Sequence, residues 1–364
     1  MQTRTIAQSS LTGALIAGLP PTRFRDIDRR LAAAILIVTA LAMLVLLAIA
    51  LRFTPPAEAP DTDNGDRAMY ERVVERMHAG ENYYTAAHTE LHDGRYGTQS
   101  VFNWRLPTLS WIDSRFPSLL WASIVLGLGA IGAVFAGAKL VRDTADKPTA
   151  YIAAFALAMC LAACATGAGV LFTEIVASVM ILASASAYGL KRPAIGFVLA
   201  LAALFVRELA APYVLVCIYF AWRDGRRSEL AGWAAGLVAF FAYFAWHYMM
   251  VEGQHAAGDF SYVDGWIQFG GMSFVLSTAA FNGMLLAAPL WVSAIVVPLC
   301  LLGLIGWRAP EAARIGVTVA VYMATFLIVG KAFNDYWGAL YTPLMSMGLA
   351  FAPAAIRDLV THRA

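Results

Sequence analysis

The sequence has few charged residues. Lys, Arg, Asp and Glu make up 14% of its 364 residues, whereas soluble domains carry about 25%. Hydrophobic residues make up 60%, which excludes an ordinary soluble domain. The net charge is only +2 and no basic stripe is present, so we expect no nucleic-acid partner. The composition predicts an all-α, polytopic membrane protein with membrane lipids around it.

Cysteine is also scarce, and no internal repeat is visible. The four cysteines lie inside apolar runs, which favours packing roles over disulfides or metal ligands: Cys160, Cys164, Cys217 and Cys300. Without a repeat, nothing indicates a transporter built from two related halves. Residues 1–30 end in several arginines and precede a spanning run, so we expect a cytoplasmic tail and no cleavable signal peptide.

Apolar runs predict about ten membrane helices or half-helices in one domain, residues 1–364, given that a full span needs about 20 residues. The segments are 31–52, 118–140, 150–166, 168–188, 194–206, 210–222, 229–250, 286–307, 314–330 and 338–356. Under this topology 17 of the 26 basic residues fall on one side. The positive-inside rule makes that side cytoplasmic, so the loop at 53–117 faces outward. The expected location is a bacterial inner membrane, with this loop in the periplasm.

The segments 194–206 and 210–222 are too short to span, and both have basic flanks that favour the cytoplasm. They predict a hairpin that places Arg207 and Glu208 at its turn, within the membrane, where bent backbone lines a cavity or is buried. The alternative is one long helix with Arg207 in mid-membrane, which would break the charge rule.

The outer loop at 53–117 is long and polar but has periodic apolar positions. Met69, Val73 and Met77 recur at a spacing of four, which predicts a helix. Asp63 and Asp66 resemble a capping box at its start, and Gly80 ends it. A second helix is expected to begin at Trp104 to Pro107 and to run into the next span, with these residues buried: Leu106, Leu109 and Ile112.

A second outer loop, 251–285, is rich in glycine and aromatic residues. It predicts a lid-like or re-entrant segment.

Three charged clusters converge on the outer side, and ionisable residues at membrane depth usually mark a site: Asp61/Asp63/Asp66, Arg207/Glu208 and Lys331/Asp335. An aspartate can act as general base toward an incoming hydroxyl. Arginine and lysine can hold a phosphate. Together they suit transfer of a sugar from a lipid phosphate, whose prenyl tail would lie in an apolar groove.

The sequence resembles the GT-C superfamily of membrane glycosyltransferases, which use polyprenyl- or dolichyl-phosphate sugars. The resemblance rests on the order of GDRAMYERVVERMHAGENYY (65–84), FNWRLPTLSWI (102–112), VRELAAP (206–212) and DYWGALYTPL (335–344). It implies that Asp66 is the catalytic base. Asp61 and Asp63 offer a competing Asp-Xaa-Asp, and a glycan or lipid-linked acceptor is expected.

The candidate site therefore has three groups of residues. Asp66 and Asp63 are the catalytic candidates. Arg207, Lys331 and Arg105 are expected to bind the donor phosphate. The candidates for substrate contact are Glu208, Tyr70, Tyr84, Asp335 and Tyr336.

Several alternatives stay open at this point. Asp66 can be a capping residue only, Lys331 can extend to the interface, and Arg105 can anchor its helix. His78, His88 and His92 fit no tight metal site, so no metal or other cofactor is predicted, although a divalent cation is possible. A carrier or flippase for a lipid-linked glycan intermediate, and a non-catalytic assembly partner, are the competing functions.

Overall fold

The computed structural model describes residues 18–52, 65–262, 265 and 267–361. Within these ranges the chain is helical, and its β pairing is confined to an isolated bridge between Ile267 and Val329. The prediction of an all-α polytopic membrane protein is confirmed.

Fifteen α-helices are described, and their bounds follow in chain order. They are α1 (Arg29–Arg52), α2 (Asp66–His78), α3 (Tyr83–Asp93), α4 (Thr108–Asp113), α5 (Leu119–Thr144), α6 (Lys147–Cys160), α7 (Thr173–Gly189), α8 (Pro193–Val206), α9 (Ala211–Arg223), α10 (Arg227–Glu252), α11 (Gly271–Ala280), α12 (Leu290–Gly306), α13 (Glu311–Phe326), α14 (Thr342–Leu349) and α15 (Ala352–Val360). Short 3-10 helices join several of them, and the longest is Ala332–Leu340.

The apolar runs coincide with helices, but they are not equally long. Helices α1, α5 and α10 have the length and composition to cross a membrane, whereas α6, α7, α8, α11 and α12 are apolar and shorter. The predicted segment 150–166 ends as a helix at Cys160 and continues as 3-10 turns. The predicted segment 338–356 is broken between α14 and α15.

The short hairpin is confirmed. Helix α8 begins at Pro193 and α9 ends at Arg223, and both residues line one cavity. Arg207, at the turn between the two helices, lines a different one. The chain therefore runs up and returns, and the interpretation as one long helix is wrong.

The described part of the first outer loop, residues 65–117, contains three α-helices. Met69 and Val73 on α2 are buried, as their spacing predicted, and they share a hydrophobic cluster with Tyr84 and Leu91 on α3 and Val251 on α10. Helix α3 was not predicted, although its start has a recognisable signal. The Asn82 side chain accepts a hydrogen bond from the Thr85 N–H (3.0 Å) and so caps it.

Two details of this loop differ from the predictions. The residue that caps α2 is Gly65, and Asp66 is the first residue of the helix rather than the third position of a capping box. Helix α4 spans only Thr108–Asp113 and does not run into α5. Leu106 and Leu109 are buried as predicted, but Ile112 is exposed, because the break at 114–118 frees α4 to rotate independently of the span.

The segment 251–285 contains the buried helix α11, which packs against the 3-10 helix Ala332–Leu340. The approach is close, since a Cβ on Gly338 would lie 1.7 Å from the backbone oxygen of Thr278. Only glycine permits that contact. It fixes the position of the segment that carries Lys331 and Tyr336.

Candidate active site

A cavity of about 310 Å³ is lined by residues from four distant parts of the chain. The first outer loop, the hairpin turn, the second outer loop and the segment before α14 all contribute. The lining residues are Asp66, Met69, Tyr70, Leu91, Tyr96, Phe102, Asn103, Arg105, Arg207, Tyr262, Lys331, Phe333, Asn334, Tyr336 and Trp337. One carboxylate and three cations therefore face the same space.

Asp66 is half-buried at the first position of α2. A helix N-terminus stabilises negative charge. The Tyr96 hydroxyl donates a hydrogen bond of 2.5 Å to Asp66 Oδ1. Burial, and then this bond, raise the pKa of Tyr96, so the phenol stays protonated and keeps donating. Because a carboxylate has about four lone-pair sites, Asp66 can accept a second hydrogen bond from a substrate hydroxyl.

Arg105 is held by three partners. Its Nε donates to the Tyr70 hydroxyl (2.9 Å), its Nη1 to Glu174 Oε1 (2.8 Å) and its Nη2 to the Tyr336 hydroxyl (3.1 Å). The guanidinium also lies near both tyrosine rings, 5.5 Å and 5.6 Å from their centroids. Burial raises the pKa of Tyr70. The guanidinium is thus oriented before any ligand arrives.

Arg207 is 3% exposed and also faces Glu174. Its Nε lies 2.9 Å from Glu174 Oε1, at an angle that does not make a hydrogen bond. Its Nη1 donates to Glu208 Oε1 at 2.5 Å. One oxygen of Glu174 is therefore shared by two guanidinium groups, and the carboxylate holds both at the cavity wall.

Glu174 is fully buried and was not among the residues predicted for the site. Its second oxygen accepts a hydrogen bond from the Thr173 hydroxyl at 3.1 Å. A signal was present, because an acidic residue inside the apolar run 168–188 is costly and usually functional. Its partners, 69 and 33 positions away at Arg105 and Arg207, were not visible from the sequence.

Lys331 supplies the third cation. Its side chain is buried to 9% exposure, lines the cavity, and places its ammonium 4.8 Å from the centroid of the Tyr262 ring. The backbone N–H of Lys331 donates to Asn334 Oδ1 at 3.1 Å. The side chain thus points into the cavity, which does not fit the alternative of a lysine that extends to the interface.

The other predicted site residues are divided between the cavity and its surroundings. Tyr70 and Tyr336 line it. Glu208 is not among the lining residues and forms an ion pair with Arg207. Tyr84 and Asp335 are not among the lining residues. Tyr84 is buried and its hydroxyl bonds to His247 Nδ1 at 3.0 Å. Burial raises the pKa of Asp335.

Asp61 and Asp63 lie outside the described residues.

The three loop histidines have separate partners. His78 Nε2 lies 2.9 Å from the Phe116 carbonyl oxygen, and His88 pairs with Asp259 at 3.1 Å. His92 lies beside Asp93 at 3.5 Å. Within the part of the chain that the structure describes, no three His, Cys, Asp or Glu side chains form a group that could hold a metal ion.

The geometry permits one kind of chemistry in particular. Two oriented guanidinium groups and an ammonium can bind a phosphate and stabilise charge that develops on it. The carboxylate of Asp66, on the same cavity, can accept a proton from a hydroxyl.

Among solved structures, the fold is similar to the crystal structure of ArnT from Cupriavidus metallidurans in the apo state. The TM-score is 0.50 at 13% sequence identity, and the match covers 88% of this chain and 60% of ArnT. ArnT has the GT-C fold, and so does this chain. This chain spans about 60% of the length of ArnT. Comparisons with protein-family models and with curated proteins give no match.

Proposed function

We propose that this protein is a glycosyltransferase that moves a sugar from a polyprenyl-phosphate donor to an acceptor at the outer face of the membrane. The observation that carries the proposal is the cavity on which Asp66 meets Arg105, Arg207 and Lys331. These residues are far apart in the chain and come together within a GT-C fold. ArnT is an undecaprenyl-phosphate-aminoarabinose transferase, which supports the same class of donor here.

In the proposed reaction the acceptor hydroxyl attacks the anomeric carbon of the donor. Asp66 takes the hydroxyl proton, a new C–O bond forms, and the bond to the phosphate oxygen breaks. The electron pair leaves with the polyprenyl phosphate, whose charge the two arginines and Lys331 stabilise. A single displacement of this kind inverts the configuration at the anomeric carbon.

Each cation has a distinct contribution in this scheme. Arg105 and Arg207 are pre-oriented by Glu174, so little reorganisation is needed when charge develops on the phosphate. Lys331 is a compact point charge on a flexible stem, suited to following the departing oxygen. The tail of the donor would lie among apolar helices, outside the polar cavity.

The position of Asp66 also argues against a carrier. A protein that only bound and moved a lipid phosphate would gain nothing from a carboxylate facing the anion, because like charges repel. A general base, in contrast, has to stand beside the phosphate in order to reach the attacking hydroxyl.

The test is transfer by purified protein, with release of polyprenyl phosphate as the readout. Asp66→Asn should lower the rate by about 10²- to 10⁴-fold, the usual contribution of a general base. Asp93→Asn is the matched control, because Asp93 is an exposed aspartate of the same outer loop, 68% exposed. It should react like the wild type.

Two results would contradict the proposal in different ways. Turnover by Asp66→Asn at the wild-type rate would remove Asp66 from the role of base. Movement of the intact donor across vesicles, with no polyprenyl phosphate released by the wild type for any acceptor, would make the protein a carrier.

A further inference from the structure

A second cavity, of about 350 Å³, lies at the opposite end of the helix bundle. Helix α7 connects the two ends, because Glu174 near its start faces the active-site arginines while Tyr188 near its end lines the second cavity. At 1.5 Å per residue the two sites are about 20 Å apart. The second cavity is on the side that the positive-inside rule assigns to the cytoplasm.

The lining of this cavity is strongly basic. The lining residues are Ala185, Tyr188, Gly189, Lys191, Pro193, Phe220, Arg223, Asp224, Arg226, Pro310, Glu311 and Arg314. Four of these lining residues carry a positive charge and two carry a negative charge. Lys191 pairs with Glu311, and Arg223 and Arg226 both pair with Asp224. Arg226 also pairs with Glu229 on α10 at 2.7 Å.

Arg314 stands apart from these ion pairs. It is 7% exposed, and its Nη1 is buried without a hydrogen-bond partner among the described residues. Its guanidinium lies 3.9 Å from the centroid of the Tyr188 ring and 4.8 Å from that of Phe220. A buried donor of a charged group that lacks a partner is expensive. The geometry therefore provides a charged donor suited to an anion.

The surroundings place the cavity at the level of the membrane surface. Tyr219 and Trp222, on the last two turns of α9, are 48% and 67% exposed. Exposed tyrosine and tryptophan at the end of a membrane helix typically lie among lipid headgroups. Basic cavities between helices at that level are suited to phosphate headgroups.

We propose that this cavity binds a phosphate ester, with Arg314 donating to the phosphate oxygens and Lys191 and Arg226 closing around it. The phosphate belongs either to the headgroup of an anionic lipid or to a soluble phosphate. The proposal is independent of the glycosyltransferase activity, since none of these residues lines the active-site cavity.

The experiment measures binding to purified protein in micelles of dodecyl maltoside, a detergent without phosphate, by native mass spectrometry and thermal stability. The probes are phosphatidylglycerol, glycerol phosphate and inorganic phosphate. Arg314→Gln should weaken binding of the phosphate probe by about tenfold, the effect of losing a charge-assisted hydrogen bond. Arg308→Gln is the matched control. It removes the same charge at the same end of the bundle, from an exposed pair with Asp26, and should change binding less than about twofold.

A second variant covers the case in which Arg314→Gln does not fold. Lys191 is at the rim with a side chain that is 78% exposed, so Lys191→Gln leaves the packing intact and should also weaken binding. Preference for phosphatidylglycerol identifies a lipid site, and equal binding of inorganic phosphate identifies a soluble ligand. The proposal is overturned if no probe binds, or if both cavity variants bind like Arg308→Gln.

Discussion

Replacing Glu174 with Gln removes the negative charge that two buried arginines share. Glu174 is fully buried and its Oε1 lies 2.8 Å from Arg105 Nη1 and 2.9 Å from Arg207 Nε. Gln keeps the size of the side chain. Its amide carbonyl can still accept from one arginine, but the charge that balanced both is gone.

The expected loss of stability follows from that burial. Breaking a buried ion pair by removing one partner costs about 3–5 kcal/mol, because the remaining charge is left uncompensated. With an unfolding entropy of about 2 cal/mol/K per residue, this lowers the melting midpoint of the 364-residue chain by roughly 4 to 7 °C. Glu81→Gln is the control, since its ion pair with Arg76 is half-exposed and such pairs contribute little.

Ligand binding gives a second and more specific readout. A phosphate that binds to Arg105 and Arg207 supplies the anion that the Gln variant lacks. Saturating polyprenyl phosphate should therefore raise the melting midpoint of Glu174→Gln more than that of the wild type, by mass action on the folded state. Both midpoints are measured in the same detergent with and without the ligand.

Either of two outcomes would refute this reasoning. If Glu174→Gln had the same melting midpoint as Glu81→Gln, Glu174 would not be needed to offset the repulsion between the two arginines. If polyprenyl phosphate stabilised the variant less than the wild type, the phosphate would bind elsewhere.

Two further predictions concern stability. Burial raises the pKa of Asp113 from 3.8 to about 7. Its contribution to stability is therefore fully present below pH 3.8 and is lost as the pH rises through about 7, by on the order of 4 kcal/mol. Asp113→Asn should flatten the dependence of the melting midpoint on pH between pH 4 and 8, and an unchanged pH dependence in the variant would contradict this. Gly338→Ala should lower the free energy of unfolding by about 1–3 kcal/mol or more, because its Cβ would lie 1.7 Å from Thr278 O. Gly132→Ala on α5 is the control, since a Cβ there has nothing within 4 Å, and it should be neutral or slightly stabilising. Equal melting midpoints for the two variants would exclude the close contact.

Much of the architecture was predictable because membrane insertion is governed by simple rules. Long apolar runs give spanning helices, and basic flanks orient them. The two rules together predicted the hairpin at Arg207. Helix α3 was missed because it mixes aromatic and polar residues, so that its hydropathy gives no strong signal. Helix α11 was missed because its apolar run of 10 residues is too short for a membrane span.

The lining of the cavity was predicted in part. Asp66, Arg207 and Lys331 belong to the three charged clusters and Arg105 was a further candidate, and all four line one cavity. Tyr84 lies instead in an aromatic cluster beside His247. Nothing in the sequence distinguishes an aromatic residue that packs in a core from one that lines a cavity, because both are apolar and lie near a helix.

The sequence by itself determined that the protein is helical and embedded in the membrane, and that charged residues lie where charge is costly. Only the tertiary structure decided that Glu174 balances Arg105 and Arg207, and that Tyr96 donates to Asp66. The physical reason is that a helix that is apolar on all sides has no preferred face in the sequence. Its rotation, and with it the partner of each buried charge, is set by the packing of the surrounding helices.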